Sequence, residues 1–219
     1  LLLIEAANRG SIMRKLSRRH LESVFYNYMA RAYQKWGKRL FDITLSVISL
    51  VFLSPIFILI SLGILIEDGR PVIFKQKRVG KDGKQFIIYK FRSMAKDVGD
   101  IPSAEAKNVY ITRVGKLIRR LSLDELPQLV NVLKGDMSIV GPRAALPSQA
   151  RLCQLRKELG VMTLRPGLTG LAQVNSYDGM PEDEKAKWDF AYAKNVSFVA
   201  DLNIIIRTFL YMLKPPPVY

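Results

Sequence analysis

Between Phe41 and Ile66 the chain runs FDITLSVISLVFLSPIFILISLGILI, twenty-six residues with a single charge, Asp42, near the start. A helix needs about 20 apolar residues to cross a bilayer, so this run is long enough. Three features bear on the path it takes. Pro55, in its middle, removes a backbone donor and crowds the preceding turn, while Ser54 can satisfy a freed carbonyl locally. Its flanks are cationic on both sides, with Lys35, Lys38 and Arg39 before it and Lys75, Lys77 and Arg78 after it. Positive residues prefer the cytoplasmic side, so this symmetry fits a segment whose two ends stay together there. Finally, no second comparable segment exists. The residues alone leave two paths open: a segment that dips in and returns, or a spanning helix that tolerates its proline.

The remainder of the chain is basic. Its 34 Lys and Arg against 19 Asp and Glu give a formal charge of +15 over 219 residues. That length holds one substantial domain with room for a small appendage. The charge points to an anionic partner: nucleic acid, the anionic face of a membrane, or phosphorylated small molecules. One cysteine, Cys153, excludes an internal disulfide, and one histidine, His20, leaves neither a Cys/His zinc cluster nor a Ser-His-Asp triad to assemble. Chemistry here rests on carboxylates, cations and a hard metal. Cys153 reads as a packing residue and His20 as a solvated one in a basic run. The chain opens on Leu1 rather than Met, and Leu1 to Ile4 are too few apolar residues for a signal peptide.

Ahead of the apolar run, Ile12, Leu16, Val24, Tyr28 and Tyr33 recur among Arg and Lys. This predicts a basic amphipathic helix on a lipid surface, or one packed on a partner. After the run, VIFKQKRVGKDGKQFIIYKFRSM holds two β-rich stretches around Gly80-Lys81-Asp82-Gly83, so a β-hairpin is predicted from Val72 to Ser93. Its interleaved cations make either a solvated strand face or a cationic wall lining a phosphate site. Residues 96–107 read as a loop. A helix is predicted from Asn108 to Leu121, with Val109, Val114, Leu117, Ile118 and Leu121 on one side. A second carries DELPQLVNVLKG and stops at Gly135. Further helices are predicted over Pro181 to Lys194 and Asp201 to Lys214, the last so apolar that it must be buried or in contact with lipid. No internal repeat or low-complexity tract is present. The fold class is α+β, mainly helical.

The stretch SLDELP places Asp124 and Glu125 side by side in this basic chain. Helix capping is one explanation: Ser122 and Glu125 fit a capping box imperfectly because of Pro127, and Asp124 as the N-cap fits better. Chemistry is the other. Neighbouring helical residues point some 100° apart, so the two carboxylates can take different tasks, one attacking and the other moving protons or steadying a metal. A carboxylate nucleophile can split phosphoryl transfer into two easier steps, provided cations hold the phosphate. Arg119, Arg120, Arg143 and Arg165 supply guanidinium forks suited to phosphate oxygens, and Mg²⁺ held by carboxylate and substrate phosphates would complete the neutralisation.

Four stretches in order, KRLFDITLS…LSPIF, VIFKQKRVGKDGKQFIIYKFRSM, SLDELPQLVNVLKGDMSIVGPR and LRPGLTGLAQVN, resemble the bacterial sugar transferase family, the monotopic phosphoglycosyl transferases that start glycan assembly. The resemblance covers Lys38 to Tyr219. It implies transfer of a sugar 1-phosphate from a UDP-sugar to undecaprenyl phosphate, releasing UMP and forming a polyprenyl diphosphate sugar. It implies that Asp124 is the nucleophile of a phosphosugar-aspartyl intermediate. Glu125 would then help with the lipid phosphate or the metal, the pair holding Mg²⁺. Ser54 and Pro55 would break a re-entrant hairpin inserted from the cytoplasm, placing the enzyme on the cytoplasmic face of the bacterial inner membrane against its anionic lipids. The implied substrate and phosphate residues are Arg119, Arg143, Lys90 and Arg92, with Arg165 and Gln173 beside them. The chain then divides into a basic N-terminal segment (1–37), the membrane hairpin (38–69) and a cytoplasmic catalytic domain with interfacial helices (70–219).

Two departures stand out. Many relatives carry Pro-Arg-Pro where this chain has Pro142-Arg143-Ala144, and Q-V-N-G-R where it has Gln173-Val-Asn-Ser-Tyr177. Direct transfer through a ternary complex, with the dyad as metal ligand and base, remains an alternative. So does a catalytically silent membrane-surface module. Nucleic-acid binding fits poorly, because no recognition motif accompanies the charge. The sugar carried and the oligomeric state, a homodimer included, stay open.

Overall fold

The computed structural model describes residues 31–95, 111–175 and 180–212. The sequence readings that fall on 1–30, on the 96–107 loop and on 108–110, 176–179 and 213–219 lie outside them. The described chain enters through a wide π-type stretch, Tyr33–Gly37, that continues as α1 (Lys38–Phe52). After Leu53 comes α2 (Ser54–Asp68), and the chain bends by 61° at that junction. Pro55 has no amide to offer the Val51 carbonyl, and the Ser54 hydroxyl donates to it instead at 2.8 Å. A 61° bend leaves the arms in an open V, far from antiparallel. Among the described residues no single helix is long and apolar enough to cross a membrane, whereas this bent pair taken together has the length and composition of a broken span or a re-entrant loop.

The pair is rooted in the rest of the molecule. Leu45 and Leu50 of α1 pack against a core of Ile88, Leu129, Val132, Met137, Val140 and Ile204, while Ile60 and Ile64 of α2 join Phe91 and Ile118 in a second cluster. Asp42, the lone charge of the apolar run, is buried and accepts from the Ser138 hydroxyl at 3.0 Å and the Ile139 amide at 2.9 Å. At the far end, the Glu67 carboxylate accepts from the Arg113 and Val114 amides at 2.6 and 2.8 Å. It thus places negative charge on the N-terminus of α3 (Arg113–Arg120).

The predicted hairpin is present as β1 (Ile73–Val79) and β2 (Gln85–Phe91), antiparallel from Ile73 opposite Phe91 to Val79 opposite Gln85. Its turn carries Asp82 at φ 55°. Helix α3 begins at Arg113 rather than Asn108, because the Thr112 hydroxyl caps it by accepting from the Gly115 amide at 2.9 Å. Only Val114 and Ile118 of its predicted apolar side turn inward among the described residues; Leu117 and Leu121 face outward. Helix α4 (Gln128–Lys134) ends on Gly135 at φ 91°, as predicted.

A second sheet escaped the sequence reading: β3 (Ser138–Val140) runs parallel to β4 (Gly167–Thr169). Each strand is only three residues long, too short for an alternating pattern to show. The glycines of GPR and LRPGLTG allow the pairing, since a Cβ on Gly141, Gly167 or Gly170 would collide with backbone atoms across the gap. Helices α5 (Ala150–Glu158) and α6 (Leu171–Asn175) were likewise not predicted. Helix α7 (Glu182–Lys194) follows the predicted span closely, whereas α8 (Phe198–Met212) starts three residues before Asp201, where Ser197 accepts from the Ala200 amide at 3.2 Å. Ile204 of α8 is buried, while Ile206, Phe209 and Leu210 face outward. The outcome is a mainly helical α+β fold with two small sheets.

Candidate active site

Asp124 and Glu125 lie in a single 3₁₀ turn, Leu123–Glu125, between α3 and α4. Ser122 ahead of them adopts φ 53°, which turns the chain sharply after α3. Asp124 is therefore not the N-cap of the following helix. That position falls to Pro127, no side chain caps α4, and Ser122 makes no capping bond either. Pro127 has no amide to return to the Leu123 carbonyl, so the Leu126 amide closes on it instead at 3.2 Å, and the tighter i→i+3 winding carries the dyad. The two carboxylates consequently stand about 120° apart rather than 100°.

Their surroundings differ. Glu125 accepts from Lys90 Nζ at 2.7 Å and from both terminal nitrogens of Arg143, at 2.6 and 3.3 Å. Burial alone would push its carboxyl up, but Arg143 and then Lys90 outweigh burial and hold it well below the usual carboxylate range. Asp124 receives no hydrogen bond from the described residues. Burial, and then the charge of Glu125, push its carboxyl up to about 6, while Lys90, Arg119 and Arg143 pull the other way. One carboxylate is thus neutralised in place, and the other lies within the field of Lys90, Arg119 and Arg143.

The dyad opens into a cleft of about 1090 Å³. Its lining includes the cations Lys90, Arg92, Arg119 and Arg143 and the amide of Gln173, all predicted, with the cations Arg78, Arg156 and Lys185 joining them. It also includes Leu45 and Ser49 from α1, Leu53 at the bend, and Ile205, Thr208 and Phe209 from α8, most of them apolar. Arg78 belongs to the cationic hairpin wall read from sequence. Arg156 had no local signal, because its partner Asp189 lies 33 residues away on another helix.

Two predicted arginines do other work. Arg92 lines the cleft, but its Nη2 donates to the Asp68 and Gly69 carbonyls at 2.9 and 2.8 Å and pairs with the Asp68 carboxylate at 2.8 Å, clasping the end of α2. Arg165 is not among the residues lining the cleft; its Nε donates to the Gly135 carbonyl at 2.8 Å, at the end of α4. Gln173 lines the cleft and donates to the Leu168 carbonyl at 3.2 Å.

Among the described residues no group of three or more His, Cys, Asp and Glu side chains is arranged to hold a metal ion. The carboxylate donors at the cleft are Asp124 and Glu125. A hard divalent cation held by one or two carboxylates and completed by substrate phosphates fits that donor set. Glu125 already carries two cationic partners, so Asp124 is the better placed of the two.

A carboxylate dyad under a cationic wall, opening toward apolar helices, defines an enzyme for anionic substrates that works where water meets an apolar phase. The chain belongs to the bacterial sugar transferase family, whose sequence pattern matches residues 33–215. It is 41% identical over 171 residues to the uncharacterized sugar transferase EpsL of Bacillus subtilis. It is 42% identical over 186 residues to the exopolysaccharide production protein PSS of Rhizobium leguminosarum. It is also 40% identical over 182 residues to the UDP-glucose:undecaprenyl-phosphate glucose-1-phosphate transferase of Klebsiella pneumoniae. Each match takes in 78% of this chain, and 84% of EpsL and 92% of PSS but only 39% of the Klebsiella enzyme.

Proposed function

We propose that this chain transfers a sugar 1-phosphate from a UDP-sugar to undecaprenyl phosphate at the cytoplasmic face of the bacterial inner membrane, through a covalent intermediate on Asp124. The observation that carries the reading is the unequal dyad, with Glu125 saturated by Lys90 and Arg143 and Asp124 in the cleft without a hydrogen bond from the described residues. The names of relatives support the substrates, since the Klebsiella enzyme is called a UDP-glucose:undecaprenyl-phosphate glucose-1-phosphate transferase.

In the first step an Asp124 carboxylate oxygen attacks the sugar-bearing phosphorus. The bond from that phosphorus to the bridging oxygen breaks, and UMP leaves with the electron pair. In the second, an oxygen of the lipid phosphate attacks the same phosphorus, the bond to Asp124 breaks and the carboxylate is restored. Arg119, Arg143 and Lys90 shield the approach of one anion to another. Glu125 keeps Lys90 and Arg143 aligned on the phosphate. Mg²⁺, when bound, supplies charge neutralisation on the diphosphate, with Asp124 the carboxylate nearest to hand. The V of α1 and α2 is read as re-entrant, its apolar outer side in lipid, so that the lipid phosphate enters from the α1 and α8 side of the cleft.

One observation favours a second reading. A carboxyl held up to about 6 also suits a base in a single displacement. UMP release across a panel of UDP-sugars, with and without undecaprenyl phosphate, tests the proposal. Release with one sugar donor, dependent on the acceptor for more than one turnover, is the expected result, and no release with any donor would remove the activity from the chain.

A further inference from the structure

The residue that reaches Glu125 from across the cleft, Arg143, sits on a loop whose side chain is half exposed and long. Glu125 holds its tip at 2.6 and 3.3 Å, and the loop sets where the side chain starts from. Four carbonyls in succession are captured there. The Pro142 carbonyl accepts from the Gly167 amide at 2.9 Å, and that of Ala145 from the Val79 amide at 2.9 Å. Between them, Arg156 Nη1 donates to the Arg143 carbonyl at 2.8 Å, and Arg78 Nη1 to that of Ala144 at 3.3 Å. The outer two are backbone pairings of sheet edges. The bond at Arg143 itself comes from a side chain on α5.

Arg156 is 5% exposed and Asp189, on α7, is 1% exposed. Its Nε and Nη2 both donate to Asp189 Oδ2, at 2.9 and 2.6 Å. A guanidinium is rigid and planar, so once two of its nitrogens are pinned the direction of the third is set. Asp189 therefore aims Nη1 of Arg156 at one backbone oxygen, the carbonyl of the residue that grips Glu125.

We propose that Arg156, aimed by Asp189, is a positioning residue for Arg143: α7 and α5 together set where the Arg143 guanidinium meets Glu125 and the substrate phosphate. The phosphate part of this statement rests on the function proposed above; the placement of Arg143 does not. A lysine at 156 keeps a charge on Asp189 but is a single point donor and cannot hold both partners.

The test uses the full chain in lipid nanodiscs. Phenylglyoxal modification of Arg143, followed by mass spectrometry, is compared in the wild type and Arg156→Lys at matched thermal stability. The proposal expects labelling of Arg143 several-fold faster in the variant, and equal rates overturn it. Should Arg156→Lys fail to fold, Arg156→Met combined with Asp189→Leu replaces the buried pair with apolar groups of similar size, a change such sites often tolerate. The same acceleration is expected from it. Turnover supplies a second readout that a general loss of rigidity would not imitate. Arg156→Lys should lower kcat/KM about tenfold in the wild type and not at all in an Arg143→Ala background. An equal loss in both backgrounds contradicts action through Arg143. If the wild type releases no UMP, the proposed function fails, and the labelling rates alone still decide the placement.

Discussion

Two acidic centres in this molecule have opposite designs. Asp201 is fully buried and saturated: Tyr33 and Lys38 donate to one of its oxygens, each at 2.6 Å, and Tyr192 to the other at 2.6 Å. Burial and then the Asp201 charge push the Tyr192 hydroxyl far up, so it stays a donor. The centre ties the entrance of the bent helix pair to α7 and α8. At the dyad, Glu125 is saturated in the same manner, but Asp124 beside it is left with charges nearby and no hydrogen bond from the described residues. A carboxylate gripped by three donors holds structure together, and one that receives no hydrogen bond from the described residues is placed to form a bond to phosphorus.

The sharpest way to break this contrast is to remove the carboxylate from each centre. Asp124→Asn should reduce transfer by about 10⁴-fold or more, as for a lost nucleophile, with the fold intact. Its stability should not fall near neutral pH. The folded pKa of Asp124 is raised to about 6 from its ordinary 3.8, so the stability linked to this group is fully present below 3.8 and lost as pH rises through about 6. Removing the charge should therefore raise the unfolding temperature slightly at pH 7. Asp201→Ala is the mirror image: removing one partner from a buried charged cluster costs about 3–5 kcal/mol, seen as a lowered unfolding temperature. If Asp201→Ala proved stable and Asp124→Asn unfolded, the assignment of roles would be reversed.

A smaller effect is expected from the cations. Arg143→Ala or Lys90→Ala should each lower kcat by about 10²-fold, the range for losing one preorganised charge at a reacting centre, measured at saturating UDP-sugar. The least is a shift in pH profile. The acid limb of kcat/KM should fall near pH 6, with activity rising as Asp124 ionises. After burial, the Glu125 charge is the next cause of the raised value, so the residual activity of Glu125→Gln should show its limb at lower pH. A limb that moved upward would contradict the electrostatic account.

These centres were not equally legible in the sequence. The dyad could be read because it is local: two adjacent carboxylates in a chain of charge +15, with cations on either side. Its exact geometry could not, since Pro127 suits a helix start as well as a 3₁₀ turn and only the missing amide decides. The break at Ser54 and Pro55, the β1–β2 hairpin and the stop at Gly135 were legible for the same reason, each resting on one residue's stereochemistry. What escaped was long-range. Asp201 collects donors 168, 163 and 9 residues away, and β3 meets β4 through three residues each. A guanidinium near a glycine-rich turn reads equally as a phosphate ligand or as a donor to a helix end, and Nε of Arg165 donates to the Gly135 carbonyl. Arg92 reads as a substrate ligand just past the strand that holds Lys90, and its Nη2 donates to the end of α2.

The central claim is that a carboxylate oxygen of Asp124 bonds covalently to phosphorus, and intact-mass analysis followed by peptide mapping tests it most directly. The protein is incubated with its UDP-sugar donor in the absence of undecaprenyl phosphate and quenched. The account predicts a gain of one sugar phosphate on the peptide containing Asp124, released when undecaprenyl phosphate is added. UMP formed under acceptor-dependent turnover with no adduct at any time, or an adduct on Glu125 instead, would contradict it.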